Sequence, residues 1–258
     1  MEHVTSGDGT QIAYGRSGSG RALLLVHGTS VERSSFRFVE PLLTDRFTLY
    51  AVDRRGRGES GDSTNGYAIE QEFADIAAVV DSLAEPPDLF GHSYGATVAL
   101  GAARLARNVR RLILYEPAPG VPQVGPELLA RLDALLAEGE REQLLSVFLT
   151  ELGLDPDALK QLRASPLWGL RVTAAHTIPR ELRAEESYRP DSAAFASLAV
   201  PALLLLGSES PPWAKEGTEL VQSVLPDNRV AVLQGQGHTA LMTAPELVAD
   251  EVGRFLGE

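Results

Sequence analysis

The chain has 258 residues, of which 44% are hydrophobic and 22% charged, so it can bury the core of one main domain with an insertion. Its 35 acidic and 23 basic residues give a formal net charge of −12. Nucleic acid and anionic membranes require a basic surface, so this charge argues against both as partners and favours a small, neutral or weakly charged substrate. The absence of cysteine excludes disulfides, thiolate catalysis and cysteine-ligated metal sites.

The chain shows no sign of export or of membrane insertion. Residues 1–9 contain no basic region followed by an apolar one, which a signal peptide would have. No apolar run approaches the roughly 20 residues of a membrane helix. We therefore expect a cytoplasmic protein. No pattern in the sequence predicts the oligomeric state.

Strands and helices alternate in the first part of the chain. Two short segments, 4–5 and 11–14, flank a run of turn residues and predict a hairpin. Two continuous apolar runs have the length of strands covered on both faces, and two segments have a helical pattern. The predicted strands cover 22–26 and 47–52, and the predicted helices cover 34–43 and 67–83.

A serine flanked by two glycines follows the next apolar run. Residues 91–95 read Gly-His-Ser-Tyr-Gly, a G-x-S-x-G pentapeptide, and small residues follow over 96–103. In this pattern the serine occupies a sharp turn between a strand and a helix, and the missing Cβ of glycine lets the two elements approach closely. The helix directs its free N–H groups towards an oxyanion formed at Ser93. We predict that Ser93 is a nucleophile.

The character of the chain changes after the next predicted strand, 109–115, which ends at Glu116. Residues 118–190 contain amphipathic helices and no strong strand. We predict an inserted helical cap over 118–190, on a core domain of 1–117 and 191–258. Three side chains of this segment either fill the core of the cap or contact the substrate: Phe148, Trp168 and His176.

The alternation of strands and helices resumes after the insertion. A strand over 200–207, a helix over 214–224, a strand over 230–233 and a helix over 245–256 are predicted, with His238 on the last loop. This order indicates an α/β protein with an open, mainly parallel sheet. In such sheets the chemistry gathers at the carboxyl ends of the strands.

Four segments together resemble the α/β-hydrolase superfamily, and the resemblance covers nearly the whole chain. They are the G-x-S-x-G segment and residues 23–28, 53–60 and 235–238. The glycine-rich part of 53–60 lacks the lysine of a phosphate-binding P-loop, so we interpret it as the family's structural loop. The resemblance implies a three-layer α/β-hydrolase fold with a mainly parallel central sheet and a helical cap.

The resemblance also implies roles for particular residues. The backbone N–H groups of Thr29 and Tyr94 would form the oxyanion hole, and His238 would be the base that activates Ser93. We interpret His27, in the loop that bears Thr29, as a structural histidine that braces this loop.

The acid of the predicted triad is open between two glutamates. The commonest position in the family falls on Ser210, which cannot act as an acid. Glu209 lies one residue earlier, and Glu116 lies at a position that some members of the superfamily use. We favour Glu116, because it follows a buried apolar strand, where a carboxylate without a partner would be costly.

These residues predict a hydrolase of an acyl bond in an ester, lactone or thioester of a small, apolar substrate. Ser93, His238 and Glu116 would act through an acyl-enzyme, with no metal and no cofactor. A serine nucleophile disfavours dehalogenation and epoxide opening, which use an aspartate. Cleavage of a carbon–carbon bond, perhydrolysis without a cofactor, and ligand binding without turnover are the alternatives.

Overall fold

The computed structural model describes residues 1–64 and 66–257, and within them the chain forms one sheet of eight strands. The strands are β1 Glu2–Thr5, β2 Gln11–Gly18, β3 Arg21–Val26, β4 Phe47–Val52, β5 Asp88–His92, β6 Leu112–Tyr115, β7 Ala202–Gly207 and β8 Asn228–Leu233. Their spatial order is β1-β2-β4-β3-β5-β6-β7-β8. Strand β2 pairs antiparallel with β1 and β4, and the remaining pairs are parallel. The predicted hairpin and the mainly parallel sheet are confirmed.

Helices cover both faces of the sheet. The α-helices are α1 Glu40–Leu43, α2 Ile69–Ser82, α3 Tyr94–Leu105, α4 Pro126–Ala137, α5 Arg141–Glu151, α6 Pro156–Arg163, α7 Leu167–Ala174, α8 Ile178–Ser187, α9 Ser192–Phe195, α10 Pro212–Val224, α11 Ala240–Thr243 and α12 Pro245–Gly257. None of the helices in the described ranges is long and apolar enough to cross a membrane. The cytoplasmic location stays a prediction.

Strand β3 shows how the three layers form. Successive side chains of a strand point to opposite faces of the sheet. Leu24 packs in a cluster with residues of α2 and α3, whereas Leu23 and Leu25 pack in a second cluster with residues of α12. Both sets are fully buried. A continuous apolar run therefore marks a strand covered on both faces.

The predicted single helix over 34–43 is wrong. The chain instead forms a 3₁₀ turn at Arg33–Phe36 and the separate four-residue helix α1. Pro41 lies in the first turn of α1. In a continuous helix its ring would meet the carbonyl of Arg37, four residues earlier. Phe36 and Leu43 are nevertheless buried, which accounts for the helical spacing of apolar residues in the sequence.

The chain between β6 and β7 is helical, with α4 to α9 and no strand among its residues. It has an apolar cluster of its own, which includes Leu132, Leu144 and Phe148. Helix α8 packs on α2 and α3 of the sheet domain. The helical segment thus has an apolar cluster of its own and contacts the helices of the sheet through α8, while Phe195 of α9 belongs to the cluster of the sheet.

Candidate active site

Ser93 lies in the sharp turn between β5 and α3. Its φ is 56° and its ψ is −128°, a left-handed conformation that side chains rarely adopt. A Cβ on Gly95 would lie 2.2 Å from the carbonyl oxygen of Val26, and one on Gly91 would lie 2.4 Å from that of Gly95. The two glycines of the pentapeptide are therefore required by close backbone packing. The turn leaves Ser93 8% exposed at the edge of the sheet.

Three residues other than glycine have positive φ in the described ranges: Ser30, Ser93 and Glu116, at 61°, 56° and 50°. Each follows the carboxyl end of a strand, β3, β5 or β6. Such backbone conformations are unfavourable and persist where the surrounding structure imposes them, often at functional sites. Backbone strain therefore concentrates at the edge of the sheet that carries the predicted site residues.

Glu116 and His238 are in direct contact. The Oε2 atom of Glu116 lies 2.5 Å from Nδ1 of His238. The other oxygen, Oε1, accepts a hydrogen bond from the N–H of Gly207 at 2.8 Å and another from the hydroxyl of Ser210. Since the carboxylate can only accept, Nδ1 of His238 carries the proton, and Nε2 is left as the basic nitrogen.

The alternative glutamate is placed differently. The side chain of Glu209 is exposed, and its backbone N–H donates to the carbonyl of Gln236 at 2.9 Å. Ser210 occupies the commonest position of the family's acid and instead donates a hydrogen bond to Glu116. The structure thus brings Glu116, and not Glu209, to His238.

The side chains of Tyr115 and His92 hold the loop that carries His238. The hydroxyl of Tyr115 donates to the carbonyl of Gly237, and Nε2 of His92 donates to the carbonyl of His238 at 2.9 Å. The rings of His92 and His238 lie 4.7 Å apart between centroids. These contacts place His238 beside the residue that precedes Ser93. No hydrogen bond joins the Ser93 hydroxyl to the His238 ring in the described structure.

The loop after β3 lies directly against Ser93. A Cβ built on Gly28 would lie 3.0 Å from Cβ and 3.5 Å from Oγ of Ser93. Thr29 follows and is half-buried. Tyr94 begins α3, and the first N–H groups of a helix have no partner within it. The two predicted oxyanion donors thus belong to residues that adjoin Ser93 on two sides.

His27 faces into the protein and holds this loop. Its Nδ1 lies 2.9 Å from the carbonyl of Gly28, and its Nε2 accepts from the backbone N–H of Arg54 at 3.2 Å. Burial and the charge of Arg54 hold the pKa of His27 well below its ordinary value of 6.5. The ring is therefore neutral and serves as a brace.

Two side chains beside the site belong to no motif. Trp213 of α10 makes a T-shaped contact with His238, with centroids 4.8 Å apart. Arg171 of α7 is half-buried and makes no hydrogen bond or ion pair with the described residues. It lies near His92, the residue before Ser93, where burial and nearby charges, that of Arg171 included, hold the pKa of the ring well below 6.5. Burial and the charge of Arg37 lower the pKa of Arg171 to about 10. Nothing in a helical pattern distinguishes these residues from any other aromatic or basic residue.

Phe148, Trp168 and His176, which the sequence analysis assigned to the predicted cap, make contacts within the helical segment or at its border. Phe148 is 1% exposed within the apolar cluster of the segment. Trp168 packs on that cluster, and its Nε1 donates to Glu142 at 3.1 Å. His176 lies 3.7 Å from the carboxylate of Asp62. These contacts favour structural roles for all three.

A groove of about 530 Å³ lies between the start of α2 and α8. Tyr67, Arg180 and Tyr188 are among the residues that line it. Neither Ser93 nor His238 belongs to this lining. The groove is thus separate from the residues that could carry out catalysis.

Comparisons with known proteins give matches that each cover most of the chain. A family model described as "Alpha/beta hydrolase family" matches residues 23–251. The 2-(acetamidomethylene)succinate hydrolase of Mesorhizobium japonicum is 28% identical over 253 residues, which cover 93% of this chain and 89% of that protein. The N-formylmaleamate deformylase of Pseudomonas putida is 29% identical over 239 residues, with coverages of 88% and 84%. A solved α/β hydrolase from Sphaerobacter thermophilus is 36% identical, has a TM-score of 0.85, and covers 99% of this chain and 100% of its own.

Proposed function

Because the chain belongs to the α/β hydrolase family, we propose that it hydrolyses an acyl bond through an acyl-enzyme formed on Ser93, with His238 as base and Glu116 as acid. The observation that carries this proposal is the 2.5 Å contact between Glu116 and Nδ1 of His238, at the same edge of the sheet as the strained Ser93. This contact leaves Nε2 of His238 able to accept a proton.

In the first half of the proposed reaction, Ser93 attacks the carbonyl carbon of the substrate. A serine hydroxyl is a weak nucleophile at neutral pH, so His238 takes its proton as the new C–O bond forms. The negative charge of Glu116 stabilises the resulting imidazolium. His238 then gives the proton to the leaving group, and the bond between the carbonyl carbon and that group breaks.

The second half of the reaction releases the acyl group. Water attacks the acyl-enzyme, His238 takes a proton from this water, and the acid product leaves as the hydroxyl of Ser93 is restored. In both halves an oxyanion develops on the carbonyl oxygen. The N–H groups of Thr29 and Tyr94 would donate to it, a type of stabilisation that often makes the largest contribution to catalysis.

Residues 118–190 would act as a cap over this site. Helix α8 anchors the segment on α2 and α3, and its apolar cluster makes it a stable cover. A cover that excludes water strengthens the electrostatic interactions in the site and shapes the substrate pocket.

Hydrolysis of an N-acyl compound is a second candidate function. Both curated relatives are named for such compounds, one with an acetamido group and one with an N-formyl group, and both names include an organic acid. Arg171, a half-buried cation without an acidic partner among the described residues, would suit an acid group on the substrate. The triad chemistry is the same, with an amine or amide as the leaving group.

The test is to compare the parent with Ser93→Ala on a panel of short-chain esters, lactones, thioesters and N-acyl compounds. We expect the variant to lose activity on the preferred class and to lose labelling by a fluorophosphonate probe. Ser223→Ala, at an exposed position of α10, is the matched control and should behave like the parent. Full activity in Ser93→Ala would refute the mechanism. Assays with a β-diketone and for peracid formation test the two alternative reactions, carbon–carbon bond cleavage and perhydrolysis.

A further inference from the structure

Arg54 lies behind the loop that carries the first proposed oxyanion donor. It follows β4 and is 1% exposed. Its Nη1 atom donates to the carbonyl oxygen of Gly28 at 3.0 Å and to that of His27 at 3.3 Å. The Gly28 carbonyl also lies 2.9 Å from Nδ1 of His27, which must donate because its Nε2 is an acceptor. Both lone pairs of this carbonyl therefore have donors.

The carbonyl of Gly28 and the N–H of Thr29 belong to the same peptide unit. This unit is planar and trans, so its N–H points opposite to its C=O. Arg54 holds the carbonyl towards the protein interior and thereby turns the Thr29 N–H away from the guanidinium. A charged donor on the carbonyl also polarises the amide, which makes its N–H a stronger donor.

Arg54 also contacts the residue that carries the second proposed donor. Its Cζ atom lies 4.4 Å from the centroid of the Tyr94 ring, a cation–π contact between buried groups. The hydroxyl of Tyr94 lies 2.6 Å from that of Tyr67, which donates to Glu72 at 2.5 Å. One guanidinium thus contacts the peptide of Thr29 on one side and the ring of Tyr94 on the other.

Two buried carboxylates hold Arg54 in this position. Glu72 of α2 accepts from Nε and Nη2 at 2.7 and 2.9 Å, a bidentate pair. Glu181 of α8 accepts from Nη2 at 2.8 Å and also pairs with Arg57. Since α8 belongs to the helical segment, the position of Arg54 depends on how this segment docks on the sheet domain.

We propose that Arg54 is a positioning residue of the oxyanion hole, which orients and polarises the Gly28–Thr29 peptide and fixes Tyr94, and that Glu181 couples it to the helical segment. This inference rests on the proposed function, in which the Thr29 and Tyr94 N–H groups stabilise the oxyanion. It assigns the helical segment a role in transition-state stabilisation in addition to covering the site.

The next residue, Arg55, provides a matched control. It is fully buried and pairs with Asp75 through two hydrogen bonds of 2.7 Å and with Asp8 at 2.9 Å. Its hydrogen bonds in the described structure go to the hairpin, α2 and the loop before α2, and none goes to His27 or Gly28. Arg54→Lys and Arg55→Lys thus both replace a buried, ion-paired guanidinium, but only Arg54→Lys disturbs the oxyanion loop.

The experiment measures the acylation rate constant per active site, after titration of the active sites, and the affinity for phenylboronic acid. The boronate forms a tetrahedral adduct with the serine and places an oxygen in the oxyanion hole, so it resembles the transition state. For Arg54→Lys we expect both quantities to fall about tenfold, with KM unchanged. This is less than the roughly 10²–10³ lost with a whole donor, because the donor stays and only its orientation and polarisation change. Arg55→Lys should lower only the melting temperature.

Parental boronate affinity in a folded Arg54→Lys, or an equal loss in Arg55→Lys, would overturn the inference. Should Arg54→Lys fail to fold, Glu181→Gln keeps the shape of the side chain and removes one of the two charges that hold Arg54. It should bind the boronate about threefold more weakly by the same reasoning, and parental affinity in that variant would overturn the inference as well. Ser93→Ala separates the two proposals: if it retains full activity, the proposed function itself is wrong.

Discussion

Replacing Glu116 by glutamine perturbs the proposed triad with almost no change in volume. In the parent, Oε1 accepts from the N–H of Gly207 at 2.8 Å and from the hydroxyl of Ser210, while Oε2 faces Nδ1 of His238 at 2.5 Å. The amide oxygen of the variant will keep the position with two donors, because an NH₂ group there would meet the N–H of Gly207. The NH₂ group must then face His238.

This orientation determines the size of the expected effect. An NH₂ group donates to Nδ1 of His238, so the ring proton moves to Nε2, the atom that should take the proton of Ser93. The variant also loses the negative charge that stabilises the imidazolium. In serine proteases the equivalent change lowers kcat roughly 10⁴-fold, or about 5.4 kcal/mol, and we expect a similar loss here.

The assay is single-turnover acylation by an activated ester with enzyme in excess, at a pH where the parent is fully active. Circular dichroism and thermal melting establish that Glu116→Gln is folded. Glu209→Gln, at an exposed position of the neighbouring loop, is the matched control and should acylate like the parent. If Glu209→Gln abolishes acylation while Glu116→Gln keeps it, the assignment of the acid is wrong.

Three further predictions follow from particular contacts. Gly95→Ala should lower the free energy of unfolding by more than about 3 kcal/mol in urea titrations, because its Cβ would lie 2.2 Å from the Val26 carbonyl, where the contact between strand and helix leaves no space. Gly169→Ala, at a glycine inside α7, tests the general effect of a methyl group and should not lower it, since none of the described atoms lies within 4 Å of that Cβ. Burial raises the pKa of Glu185 from 4.5 to about 7, so its ionisation removes up to about 3 kcal/mol of stability as the pH rises through that interval. Glu185→Gln should therefore raise the melting temperature at pH 8 and leave it nearly unchanged near pH 4.5, and an equal gain at both pH values would contradict this reasoning. Arg171→Gln should raise KM about tenfold or more for a substrate with a free carboxylate, because the charged hydrogen bond between the guanidinium and that carboxylate is lost. The KM for the methyl ester of the same substrate should not change, and an equal change for the two substrates would exclude the contact between Arg171 and the carboxylate.

The sequence by itself determined the features that depend on short stretches of chain. Continuous apolar runs predicted the strands, because a strand that is covered on both faces of a sheet is apolar along its length. The spacing of Gly91, Ser93 and Gly95 predicted the sharp turn, because the close packing of β5 and α3 leaves no room for a Cβ at either glycine. Local pattern did not suffice for residues 34–43, where the helical spacing was correct but Pro41 divided the segment.

Only the tertiary structure decided which distant groups meet. Glu116 and His238 are 122 residues apart, and their contact depends on β6 and β7 being neighbours in the sheet, with Gly207 and Ser210 holding the carboxylate. Arg54 and Glu181 are 127 residues apart, and their ion pair depends on the docking of α8. The sequence does not show which charged residue a buried carboxylate or guanidinium pairs with. The free energy of a buried ion pair depends on the distance between the charges and on their desolvation, and both are defined only in the folded chain.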